Sequence, residues 1–217
     1  MRLLDVASLD SEEPGFLTLC RYQCSIGAAL DSGTVAGQCR QMFSHHNHTK
    51  AYISLGSNLG DRAGNLVLAV RGMMHAALSV SCLSSIYETE PVSEIKQPSF
   101  LNMVAEIGNP LPAPEQVMAR LLRIEFALGR IRDVKDGPRT IDLDLLLYGD
   151  VQSNTQYLML PHPRLHERRF VLEPLTEIAP RIVHPTLHRS TTELLDGLED
   201  KSVVKVWAPN SNSPAVR

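Results

Sequence analysis

The stretch GPRTIDLDLLLYGD, residues 137–150, is the one on which the fold turns. Eight or nine residues bounded by Pro138 and Gly149 suit a strand better than a helix. On a strand, Ile141, Leu143, Leu145 and Leu147 point to the core, and Thr140, Asp142 and Asp144 share the opposite side. A buried carboxylate is costly without a partner, and two on one side repel each other unless positive charge lies between them. Residues two apart on a strand lie roughly 6.5–7 Å apart at Cα, so both carboxylates could converge on cations roughly 3.5–4 Å apart. Hard oxygen ligands with room left for water suit Mg²⁺ on a polyphosphate. So short a pattern also describes two solvated acids paired with Arg or Lys, and such patterns recur by accident.

Working back along the chain, AYISL at 51–55 reads as a first strand, and GSNLGDR as a turn with Asp61 as the N-cap of a helix. Leu66, Val70, Met73, Met74 and Ala77 form the apolar stripe of that helix. VSCLSSIYETE, residues 80–90, is rich in β-branched and aromatic residues and reads as one strand. FLNMVAEI, residues 100–107, alternates: Leu101, Met103, Ala105 and Ile107 share one face, and Phe100, Asn102, Val104 and Glu106 the other. After NPLPAP, residues 115–128 repeat Val117, Leu121, Ile124 and Leu128 at helical spacing, with Gly129 as the stop. The order is βαββαβ, so the expected class is α+β with a ferredoxin-like core. C-terminal helical and loop additions follow: a helical piece at 170–178 and a last helix opened by the capping box STTE at 190–193. Residues 1–49 read as a poorly ordered extension, 50–208 as the functional domain, and 209–217 as a frayed tail.

Of 217 residues, 43% are hydrophobic and 21% charged, enough for one sizeable domain plus an appendage. The net charge of -3 argues against a nucleic-acid partner, and no apolar run approaches the roughly 18 residues of a membrane span. The opening residues carry Asp5, Asp10, Glu12 and Glu13, which suit neither a secretory signal nor a transit peptide, so the expected location is the cytoplasm. Cys20, Cys24 and Cys39 stand with HHNH at 45–48, but C-x3-C and a long gap do not make a zinc knuckle. These three and Cys82 read as free thiols.

Next to the two acids, Gly137-Pro138-Arg139 fixes a turn that aims a guanidinium toward the same end of the strand. GRIRDVKDGPR supplies Arg130, Arg132, Lys135 and Arg139 in a loop that could close over phosphates, or that only compensates the acids in solvent. No Walker motif occurs, so an ATP site here is not a P-loop. In LPHPRLHERRF, two prolines restrict the backbone around His162, and Arg164, His166, Arg168, Arg169 and Phe170 follow.

AYISLGSNLGDR, YETEPV, QPSFLNMVAEI, IEFALGRIR, GPRTIDLDLLLYGD and PHPRLHERRFVLEPLTEIAP occur in this order from Ala51 to Pro180. In these motifs the chain resembles the 6-hydroxymethyl-7,8-dihydropterin pyrophosphokinase family of folate biosynthesis. The resemblance implies transfer of the diphosphate of MgATP to the pterin hydroxymethyl group, releasing AMP. It implies that Asp142 and Asp144 hold two Mg²⁺ ions and that Arg130 and Arg139 stabilise the phosphates. It implies a nucleotide side formed by Gln97, Glu125, Arg132, Lys135, His162 and Arg168, and a pterin side formed by Thr89, Val92, Phe100, Asn102 and Phe170. A flat heteroaromatic needs stacking faces and an amide that both donates and accepts, which agrees with that second set. A functional link to dihydropteroate synthase is also implied. The chain departs from the family pattern at Asp136, where an aromatic is common, at Glu90, where a proline is common, and in residues 1–49, which have no counterpart. A palm-type nucleotidyl transferase or cyclase and an RNA-binding sheet share the topology, but the second needs a basic surface and paired aromatics that are not evident.

Overall fold

In the computed structural model, residues 49–91, 96–130 and 137–209 are described, all within the unit Asn47–Arg217. Cys20, Cys24, Cys39, the HHNH histidines and the final residues 210–217 lie outside them, as do Val92, Arg132, Lys135 and Asp136. The elements are β1 (Ala51–Ser57), α1 (Arg62–His75), β2 (Ser79–Leu83), β3 (Tyr87–Thr89), β4 (Phe100–Gly108), α2 (Pro114–Ala127) and β5 (Asp142–Tyr148). There follow the short strands β6 (Ser153–Asn154) and β7 (Met159–Leu160), a 3₁₀ turn (Leu165–Glu167), α3 (Arg169–Ile178), α4 (Thr191–Asp196) and β8 (Val204–Val206). The main sheet runs β5-β1-β4-β3-β8, with β2 also on β4, and every pairing is antiparallel. This is the expected ferredoxin-like α+β arrangement, widened at one edge by β8.

Each sheet face buries its own core. Ile53, Leu55, Met103, Ile107, Leu143 and Leu145 meet Leu66, Ala69 and Met73 of α1 and Val117, Leu121 and Ile124 of α2. Tyr52, Val104, Leu146 and Leu147 meet Val171, Leu172 and Leu175 of α3 and Leu194 of α4. Asp61 caps α1 by accepting the Gly64 N–H at 3.0 Å, Ser190 and Glu193 form the capping box of α4, and Gly129 ends the second helical segment at φ +73°.

Three sequence expectations are corrected, and three short strands are added. The strand at 80–90 is two strands, because Ser84 takes over the ladder: its Oγ accepts the Val104 N–H, and its own N–H donates to the Val104 carbonyl, both at 2.9 Å. Leu147 faces the α3 side rather than the side of Leu143 and Leu145. The β1–β5 register jumps from Tyr52↔Leu147 to Ile53↔Leu145, and the inserted Leu146 turns its neighbour over. In α1, Met74 is 60% exposed and Ala77 lies past the helix at φ +55°, while Ala69 is buried in their stead. The β6–β7 hairpin and β8 had no signal of their own, being two or three residues long.

Candidate active site

Strand register sets the floor of the site. Gly56 pairs with Asn102 on one side and Asp142 on the other, and Ser54 pairs with Val104 and Asp144. With period two, Asp142, Asp144, Asn102, Ser54 and Gly56 therefore share the face opposite α1 and α2. A Cβ on Gly56 would lie 2.9 Å from Asn102 Oδ1 and 3.9 Å from Asp142 Cβ, so glycine keeps a bare strip between amide and acid.

Above this strip are two cavities with a common wall. One, of about 330 Å³, is bordered by Thr89, Gln97, Phe100, Asn102 and Phe170. The other, of about 290 Å³, is bordered by Met118, Glu125, Arg130, Leu143 and His162. Asp142, Asp144, Arg139, Arg164 and Arg168 border both. In the first, Asn102 Nδ2 donates to Thr89 Oγ1 at 2.7 Å, and both side chains are buried. The guanidinium of Arg139 lies 5.6 Å from the Phe100 ring centroid, and that of Arg168 lies 5.4 Å from the Phe170 centroid.

Asp142 is clamped by two cations, Arg130 at 2.6 Å on Oδ1 and Arg139 at 3.0 Å on Oδ2. Arg130 also pairs with Glu125, which is buried and accepts the Leu143 N–H at 2.8 Å. The backbone of β5 thus fixes Glu125, and Glu125 holds Arg130 against Asp142. Among the described residues Asp144 has no such clamp. Its side chain is 35% exposed yet sits low in the cleft among protein atoms, and that desolvation, with the Asp142 charge beside it, pushes its carboxyl up to about 6.

His162 stands 3.9 Å from Asp144, too far for a hydrogen bond. Its backbone N–H donates to the carbonyl of Leu146, the residue inserted in β5, at 2.9 Å. Burial and the charges of Arg168 and Arg164 lower its pKa to about 4, so the ring is neutral at pH 7. Nδ1 accepts the Arg164 N–H at 3.3 Å, which assigns the ring proton to Nε2. Arg139 Nε and Thr140 Oγ1 are buried at the mouth of β5 without a hydrogen-bond partner among the described residues.

All the sequence-proposed site residues within the described part border one cavity or the other: Gln97 on the aromatic side, Glu125 and His162 on the charged side, Arg168 on both. Val92, Arg132 and Lys135 lie outside the described residues. Sequence reasoning assigned no role to Arg164, Ser54 or Gly56. Arg164 stood in a quoted motif, and the other two could have been found only by carrying the alternation of β1 across the sheet.

The family described as 7,8-dihydro-6-hydroxymethylpterin-pyrophosphokinase matches residues 52–180. The chain is 44% identical over 162 residues to the 2-amino-4-hydroxy-6-hydroxymethyldihydropteridine pyrophosphokinase of Bacillus subtilis, covering 74% of this chain and 92% of that one. It is 36% identical over 195 residues to the folic acid synthesis protein fol1 of Pneumocystis carinii, covering 86% of this chain but only 26% of that longer protein. A Plasmodium falciparum HPPK-DHPS structure superposes with a TM-score of 0.55 at 14% identity, over 70% of this chain and 44% of that one. At that identity the likeness concerns the fold alone.

Proposed function

From the premise that this chain belongs to the 7,8-dihydro-6-hydroxymethylpterin-pyrophosphokinase family, we propose that it transfers the β,γ-diphosphate of ATP to 6-hydroxymethyl-7,8-dihydropterin. The products are AMP and the pterin diphosphate, a step of folate biosynthesis. The observation that carries the proposal is the pair of cavities sharing Asp142 and Asp144 as their wall, one with aromatic faces and an amide, the other with cations and a neutral imidazole.

The pterin belongs to the first cavity, between Phe100 and Phe170, with Asn102 and Thr89 at its edge, and Val92 is assigned to it by the family pattern alone. The triphosphate belongs to the second, against Glu125, His162 and Arg168, with Gln97 reaching from the pterin side; Arg132 and Lys135 are assigned to it by the family pattern alone. His162 offers its Nε2–H as a neutral donor there. The new bond joins the pterin hydroxyl oxygen to the β-phosphorus as the bond to the α-phosphate oxygen breaks. The chain's own part is to align the two substrates and neutralise charge, with Arg130 and Arg139 on the phosphates.

The donor set fits magnesium. Two carboxylates face one cleft, and the pKa of one is pushed up to about 6 by burial and then by the charge of the other, a penalty that a divalent cation relieves. Two carboxylates leave room for phosphate oxygens and water, which Mg²⁺ would favour as its remaining ligands. Asp142 and Asp144 would hold two ions, which when bound polarise the phosphoryl group and screen its charge.

We infer further a functional link to dihydropteroate synthase and a cytoplasmic location. HPPK-DHPS chains are among the structural neighbours, and among the described residues no helix is long and apolar enough to cross a membrane. The test is product analysis of the full chain with MgATP, with and without the pterin. Pterin-dependent AMP is expected; release of pyrophosphate, as from a nucleotidyl transferase or cyclase, or turnover indifferent to pterin, overturns the reading.

A further inference from the structure

The turn between β1 and α1 carries a polar side chain that has no direct use in the transfer just described. Asn58 is 1% exposed and joins two loops that are distant in sequence. Its backbone N–H donates to the Arg139 carbonyl at 3.1 Å, and its Oδ1 accepts the Arg139 N–H at 2.8 Å. Its Nδ2 donates to Gln97 Oε1 at 3.0 Å and to the Pro98 carbonyl at 3.1 Å. Arg62, one helical turn on, adds a second tether to the same loop by donating to the Ser99 carbonyl and Oγ, both at 2.9 Å.

The two clamped loops both lead into the site: one carries Arg139, which borders both cavities, and the other carries Gln97, which borders the aromatic one. Arg139 supplies the guanidinium on Asp142, and Gln97 and Phe100 border the aromatic cavity. Asparagine is suited to the junction because one short side chain offers both an acceptor for Arg139 and donors for the Gln97 loop. Aspartate has no donor, and alanine has neither group. Reaction rates are steep in the alignment of two substrates, so the residue that spaces their walls acts on catalysis without touching either.

We propose that Asn58 is a positioning residue that sets the spacing of the two cavities by clamping the Gln97 and Arg139 loops to one turn. Its catalytic consequence rests on the diphosphate-transfer reading above; the clamp itself does not.

The test compares Asn58→Ala, Asn58→Asp and a control, Asn65→Ala. Asn65 Nδ2 donates to Ser57 Oγ at 3.3 Å and the Leu59 carbonyl at 2.9 Å, within the same turn but away from both walls. In Asn58→Asp the Arg139 amide keeps its acceptor, so its hydrogen exchange stays slow and the KM for ATP rises less than in Asn58→Ala. The KM for pterin rises by about tenfold or more, because both hydrogen bonds from Nδ2, to Gln97 Oε1 and to the Pro98 carbonyl, are lost. In Asn58→Ala the Arg139 amide exchanges faster, both KM values rise, and kcat/KM falls by about 100-fold, the scale of a misplaced wall. Asn65→Ala lowers the thermal midpoint and leaves both KM values alone. Asn58 variants that match Asn65→Ala, losing stability with unchanged kinetics, overturn the proposal. Should the wild-type chain make no AMP from pterin, the functional reading fails separately. Arg139 exchange that is unchanged in Asn58→Ala would still overturn the clamp.

Discussion

At the scale of single residues, the chemistry of the site depends on two acids that are treated differently by their surroundings. Asp142 is neutralised by Arg130 and Arg139, whereas Asp144 keeps a raised pKa of about 6 against an ordinary 3.8. A carboxyl whose pKa is higher in the folded state binds its proton more tightly there, so folding stability declines as pH rises through the interval from about 4 to about 6. Asp144→Asn should flatten that decline in thermal midpoints measured in EDTA, and abolish AMP formation. Magnesium competes with the same proton, so its affinity should fall by about tenfold per pH unit below that pKa, a trend titration calorimetry would detect. Asp142→Ala should also stop turnover with the fold intact; near-normal rates in either variant would refute the metal assignment. At Gly56, alanine would bring a methyl to 2.9 Å from Asn102 Oδ1 and push the amide off Thr89. A rise of about tenfold or more in pterin KM is expected, with the KM for ATP little changed, because a buried hydrogen bond is lost on one side only.

At the scale of elements, the sheet is shaped by side chains that replace backbone partners. The gap between β2 and β3 is secured from α3, where Glu177 accepts from the Ser85 N–H at 2.9 Å, the Ser85 hydroxyl at 2.8 Å and the Tyr87 hydroxyl at 3.0 Å. Burial, and then the bond to Glu177, raise the Tyr87 pKa to about 12. Glu177→Ala should move that pKa back toward 10 in an absorbance titration and cost about 1 kcal/mol, an exposed carboxylate contributing at the low end of the charged range. The inserted Leu146 of β5 has a comparable effect near the site: it turns Leu147 to the second core while its carbonyl receives the His162 N–H. The bulge thereby ties the His162 loop to the strand that carries both acids. By contrast, α4 follows its sequence signal, since Ser190 Oγ accepts the Glu193 N–H at 3.2 Å and Glu193 Oε2 accepts the Ser190 N–H at 2.7 Å.

At the scale of the whole molecule, a sheet covered on one face by α1 and α2 leaves part of its other face, beyond α3 and α4, for ligands. Removing residues 1–49 should leave kcat/KM and the thermal midpoint nearly unchanged, since the family match runs from residue 52 to residue 180; a large loss of either would make the extension, into which the likeness to fol1 reaches, part of the working protein. Strand and helix order were legible in the sequence because they rest on local periodicity: the alternation at 100–107, the apolar stripe of α2 and the capping box of α4 each lie within a few residues of chain. The placing of Asp142 and Asp144 on one face was legible for the same reason, because a period of two needs no partner to define it. Local pattern could not report where a hydroxyl or an extra residue interrupts a ladder, as at Ser84 and Leu146, nor that β8 finds an edge on β3. Those outcomes depend on what lies across the sheet. The sequence by itself determined the α+β class and which residues carry charge toward the site. Only the tertiary structure decided that Arg130 is aimed through Glu125, that Gly56 leaves a bare floor, and that Asn58 holds two walls together, because each joins groups that are distant along the chain and close only once the sheet is paired.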